Sequence, residues 1–276
     1  MYYLVNTVLS AFLKLFPKGK HRNRAIWLAL IATLVPLSQL FVIRIFTHII
    51  MHGKEMDISH AIFNFTVFFG LFGLSHLATY WQKTYRVKVF NEALKSRDGW
   101  RSKNTESWDW ALAFETNNLL HTFTQVIVLA VFFATVDWKI GLINIFLILA
   151  TLEFIRMMFR RQIDLQEHYA LAHKRNENIE NVTKVSSRIR SAEIGTLISS
   201  GTFILTLAVL LIFSFMGLLN SADAVMLFLG FRMQNSNLGQ TSSSLMRFAR
   251  AKANSEAPLK YKGVKPTKID DDEEFF

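Results

Sequence analysis

The chain has 276 residues, 51% of them hydrophobic, 25 phenylalanines and a formal net charge of +10. It contains no cysteine, which excludes a disulfide framework, a thiol nucleophile and a cysteine metal site. Composition alone does not separate soluble from membrane-embedded chains; the distribution of the apolar residues does. Apolar runs alternate with short polar segments, the pattern of helices spanning a bilayer core about 30 Å thick.

Residues 1–16 are apolar but too short to span, and Lys14 interrupts them. A secretory signal carries its positive charges before the apolar run. Here they follow, at residues 17–24. Residues 1–24 therefore read as an interfacial helix with a basic anchor.

Residues 25–51 form the first predicted span, with Pro36 inside it and Arg44 near its far end. Arg44 is read as snorkelling toward the outer face. A short connection leads to the second span, 58–81, running antiparallel to the first. Residues 82–116 are charged and helix-forming, broken around Asp98-Gly99. The third span, 117–136, and the fourth, 140–159, are joined by the minimal turn Asp137-Trp138-Lys139. Residues 160–191 lack proline and glycine, which predicts helix outside the membrane, with a reversal at Asn176–Asn181. The fifth span is 194–219 and the sixth runs from Ala222 to about Met246. Residues 258–276, with a block of acids at Asp270–Glu274, read as a disordered acidic tail.

Lys and Arg crowd the N-terminal segment, the loops after spans two and four, and the tail. The alternate loops hold only Lys54 and Lys139. The positive-inside rule then places both termini on the cytoplasmic side, or its equivalent, of an inner or plasma membrane or its counterpart. The basic charge is a topology signal and does not call for nucleic acid. The predicted fold is all-α and polytopic, with six transmembrane helices spread over residues 25–257 and short cytoplasmic helical arms.

The sixth span begins apolar and turns polar at Arg232 and through the asparagines, Gln240 and the serine run. Each unpaired polar group in hydrocarbon costs several kcal/mol. Such a helix must lie against other helices or a water-filled cavity.

Tight outer turns alternating with longer cytoplasmic helical arms resemble the transmembrane domain of ABC exporters. Three stretches carry the resemblance. VDWKIGLINIFLI, residues 136–148, is similar to the start of their fourth helix. NSADAVMLFL, residues 220–229, is similar to the start of their sixth, and LMRFARAKANSEA, residues 245–257, to the run leading out of it. No GxxxxGK[ST] phosphate loop is present, so the resemblance implies a protein without its own ATPase, with a separate ATPase subunit as one possible partner. It also implies a homodimer or a larger membrane complex. RVKVFNEALKSRDGW, residues 86–100, is similar to a segment of the ATPase-free SbmA/BacA-type peptide transporters.

Arg232 lies about 15 Å into the sixth span. An arginine at mid-bilayer costs about 2.5–3.5 kcal/mol unless solvated or paired. Two roles stand open for it: a cavity charge facing substrate or ion, or one half of an ion pair between helices. Glu153 in the fourth span is a candidate partner, although Arg156 at i+3 offers it a local pair, which is the favoured reading. Asn237, Gln240 and Ser244 share one helical face at i, i+3, i+7; with Asn235 that polar stretch either lines a path or bonds to a neighbouring helix. The expected substrate or ion path is thus Arg232, Asn235, Asn237, Gln240, Ser244 and Glu153. No Ser-His-Asp ordering, paired carboxylates or histidine-based metal motif accompanies them, so no catalytic residue, metal or cofactor is expected. The functional expectation is movement of a solute, peptide or lipid across the membrane. The alternative is a non-transporting structural or accessory subunit of a larger membrane complex.

Overall fold

The computed structural model describes residues 2–16, 19–52, 57–95, 103–174 and 180–260. Their regular structure is entirely helical: α1 (Tyr2–Leu15), α2 (Lys20–His52), α3 (Ile58–Lys95), α4 (Lys103–Val136), α5 (Trp138–Lys174), α6 (Asn181–Phe215) and α7 (Ser221–Lys260). The expected anchor residues Pro17-Lys18, the connection at 53–56, the Asp98-Gly99 break, most of the reversal at Asn176–Asn181 and the tail from residue 261 lie outside the described residues. The backbone of Pro258 to Lys260, expected to belong to the tail, continues α7.

The helix ends follow local chemistry. Asp57 accepts from the Ile58 amide at 2.9 Å and opens α3. Asp137 is the single residue between α4 and α5, and its Oδ1 accepts from the amides of Lys139 and Ile140, both at 2.9 Å. Those are donors that the first turn of a helix otherwise leaves unsatisfied. At the end of α6, Gly217 adopts φ +69°, its amide donates to the Ser214 carbonyl at 3.0 Å, and that of Leu218 donates to Phe213 at 3.1 Å. This is a Schellman ending, which needs a residue tolerant of the left-handed region.

Five helices, α2 to α6, contain segments long and apolar enough to cross a membrane, the pattern of a membrane-integral protein. α7 is longer than any of them, at 40 residues, but its polar second half keeps it out of that group. Helices of 33 to 40 residues are about 50–60 Å long, well beyond a 30 Å hydrocarbon core. The excess of α3 to α7 lies at one end of the bundle, called here the basic end. The opposite end is closed by the Asp137 turn and the α6–α7 turn.

α7 is the centre of the bundle and packs against α2, α4, α5 and α6. α3 packs mainly on α2, and very little of its apolar segment is buried. α1 lies on α4 and α5. It is held near both ends, with the Arg160 guanidinium over the Tyr3 ring and Lys14 paired to Glu256 at 3.7 Å. Lipid tails are as apolar as leucine, so close backbone approach and hydrogen bonds, more than apolar burial, hold such helices together. Three glycines mark those approaches. A Cβ at Gly195 on α6 would run into the Ser242 hydroxyl on α7, and one at Gly230 on α7 would lie 2.6 Å from the Phe133 ring on α4. A third, at Gly141, would meet Ala134 beside the Asp137 turn.

Candidate functional site

α7 presents two polar faces with different surroundings. The inward face carries Gln234, Asn237, Thr241, Ser242 and Ser244, all buried. Its groups are bonded mostly to neighbouring helices and to α7 itself. Thr241 donates to the Asn237 carbonyl at 2.8 Å, and Ser242 donates to the Ala192 carbonyl on α6 at 3.2 Å. Asn235, half-buried at the edge of this face, accepts at Oδ1 from Ser199 on α6. These bonds explain how so polar a helix sits in the middle of the bundle: most of its polar atoms are satisfied by protein.

Some are not. The side-chain amide nitrogens of Asn144, Gln234 and Asn237 are buried without a hydrogen-bond acceptor among the described residues. Asn144 and Gln234 line a cavity of about 10 Å³ with Ser199, Thr202, Thr206 and Asn235, between α5, α6 and α7. That is about the room one water molecule occupies, in a setting polar enough to hold it.

The outward face of α7 is a continuous polar stripe. Arg232, Ser236, Gln240, Arg247 and Arg250 are exposed and Ser243 is half-buried between them. Their spacing, 4, 4, 3, 4, 3, is that of one helical face. Sequence reasoning placed Gln240 with Asn237 and Ser244. The structure separates them: Asn237 and Ser244 are 6% and 2% exposed, whereas Gln240 turns outward with Arg232. An i, i+3, i+7 spacing tolerates that split, because position i+3 falls about 60° from i and about 40° from i+7, to one side of both. Ser236 and Arg247 were missed. The period running on from Arg232 was the available signal, obscured by the serine run beside it.

The charged groups sort as follows. Glu153 pairs with Arg156 one turn along α5, the local arrangement favoured from sequence. Arg44 forms an ion pair with Asp223, 3.0 Å apart, tying α2 to the first turn of α7. Arg44 stays exposed near the outer end of α2, and Asp223, which sits where a helix N-terminus favours an anion, gives it a partner that the sequence reading did not name. Arg247 donates through Nε to Glu115 Oε1 on α4 at 2.7 Å, and through Nη2 to Ser244 at 2.9 Å. Arg232 makes no hydrogen bond or ion pair among the described residues and is exposed at the level of the apolar helices. No cluster of three or more metal-ligating side chains occurs among the described residues.

The arrangement is that of a lined surface: a row of hydroxyl, amide and guanidinium groups without a nucleophile–base pair. No known protein-family profile matches the chain, and no curated protein matches it significantly.

Proposed function

We propose that the chain is a six-spanning membrane protein of ABC-exporter-like architecture, without its own ATPase, that moves a solute, peptide or lipid along the outward polar face of α7. The observation that carries this reading is Arg232. It is an exposed guanidinium without a partner among the described residues, on a helix packed against four others. Lipid contact there would cost about 2.5–3.5 kcal/mol. A water-filled path removes that cost, and Ser236 and Gln240 continue it toward the basic end. In this reading α7 is the sixth span, both termini are cytoplasmic, and a second copy closes the path as the exporter resemblance implies.

Reconstitution tests it. Vesicles holding the wild-type chain should move at least one of a fluorescent phospholipid and a set of labelled peptides. Arg232→Ala should abolish that movement while helix content and elution volume stay unchanged. Equal flux from both proteins would sink the reading.

The alternative, an accessory subunit of a larger membrane complex, is favoured by α3. Held mainly by one neighbour and with very little of its apolar segment buried, α3 offers a long apolar surface to lipid or to another subunit. Under this reading neither protein supports flux, and the chain co-purifies with a stoichiometric partner.

A further inference from the structure

At the basic end, α4, α5, α6 and α7 line an open cavity of about 370 Å³, within the size range of small-molecule sites. Lys184 and Arg188 on α6 and Arg250 on α7 converge on it. None of the three forms an ion pair with a carboxylate among the described residues. Arg250 lies over the Trp108 ring at 5.2 Å, an arrangement that orients the guanidinium without neutralising it. Arg188 is partly desolvated and feels the like charges of Arg250 and Arg247. Gathering cations in this way costs free energy unless an anion joins them.

A second, neutral group points the same way. Gln166 on α5 lines the cavity and is only 5% exposed, and its Nε2 has no acceptor among the described residues. A buried amide donor left without an acceptor costs about 1–3 kcal/mol, and an oxyanion in the cavity would supply the acceptor. The nearby carboxylate of Asp109 does not line the cavity; its Oδ1 accepts from Ser255 at 2.7 Å.

Depth narrows the choice of anion. At about 1.5 Å per residue, Gln166 lies about 10 Å beyond the apolar run ending at residue 159, and Arg188 about 9 Å before the one starting at 194. The headgroup layer of a bilayer extends about 5–8 Å beyond the hydrocarbon core. The cavity therefore lies just outside the headgroup layer, at its border with water, where the long arginine side chains still reach lipid phosphates.

We infer that this cavity is a phosphate-binding site. Arg188 and Arg250 clamp the phosphate oxygens, which suit the planar donor fork of arginine. Lys184 adds charge and Gln166 donates the neutral hydrogen bond. The phosphate comes from an anionic lipid headgroup or from a soluble organic phosphate. The assignment holds whether or not the chain transports anything.

The test uses the full chain purified in detergent and two probes, phosphatidic acid and glycerol phosphate, with binding followed by native mass spectrometry and titration. Wild type should bind at least one probe ten-fold or more tightly than the Arg188→Gln/Arg250→Gln double variant, with Arg190→Gln matching wild type. Gln166→Glu places a carboxylate among the cations. It should lose binding while raising the unfolding temperature, a result that misfolding cannot produce. Binding of the lipid alone identifies a headgroup; binding of glycerol phosphate identifies a soluble ligand, and either supports the site. Equal affinity of wild type and double variant for both probes, or undiminished binding by Gln166→Glu, overturns it.

Discussion

Arg247 on α7 donates its Nε–H to Oε1 of Glu115 on α4 at 2.7 Å, bridging two helices far apart in sequence. The Glu115 side chain is 11% exposed and that of Arg247 49%, so water screens one partner and scarcely reaches the other. Hydrogen bonds to charged groups contribute about 1.5–3 kcal/mol, and the exposed guanidinium puts this one toward the lower end. Glu115→Gln should lower the unfolding temperature in detergent. The double variant with Arg247→Gln should recover part of the loss, because it no longer leaves one charge without its partner.

The polar stripe makes a prediction about water. With no native cysteine, single cysteines can be placed without background. Ser236→Cys and Gln240→Cys should react with a membrane-impermeant thiol reagent in reconstituted protein. Ile204→Cys, on an exposed apolar face of α6, and Ser242→Cys, fully buried, should react at least ten-fold more slowly. Equal slowness at all four positions would mean that the stripe is covered, which favours the accessory-subunit reading.

The α6–α7 crossing rests on the absence of a side chain. Gly195→Ala sets a methyl against the Ser242 hydroxyl and strains the Ser242 bond to the Ala192 carbonyl. Overpacking of this kind costs about 1–3 kcal/mol. Combining Gly195→Ala with Ser242→Gly should restore much of the lost thermal stability; failure to do so would place the strain elsewhere.

Gly217 tests the α6 ending. An L-residue in the left-handed region costs about 1–2 kcal/mol, so Gly217→Ala should lower the unfolding temperature, while Gly217→Asn should fall closer to wild type. A Cβ there meets no atom within 4 Å, so any loss reports backbone conformation and not a clash.

Much of the helical layout was legible because apolar runs and charged breaks are one-dimensional signals. The α4–α5 turn was legible in place but read two residues too long: Trp138 and Lys139 belong to α5, because Asp137 caps the amides of Lys139 and Ile140. The partner of Arg44 was not legible, because Asp223 lies on a helix far along the chain and nothing local reports that contact. The division of α7 into a buried, largely satisfied inward face and an exposed outward one depends on which neighbours surround it, so Gln240 was grouped with residues that turn the other way. The cavity around Gln166 escaped notice for the same reason. Its walls come from four helices, and each contributes only residues that read alone as ordinary surface charge or polar packing.

The single-residue connection at Asp137 also fixes where the bundle is able to move. With Gly141 set against Ala134 beside it, α4 and α5 are held together at that end, so a relative motion of the two would swing them like the arms of a hinged lever. A change of about 5° at the pivot, carried along arms of about 50 Å, displaces their far tips by about 4 Å. Trp108 and Gln166, which both line the cationic cavity, lie toward those tips, so a slight rotation at the Asp137 end would change the width of the cavity at the other.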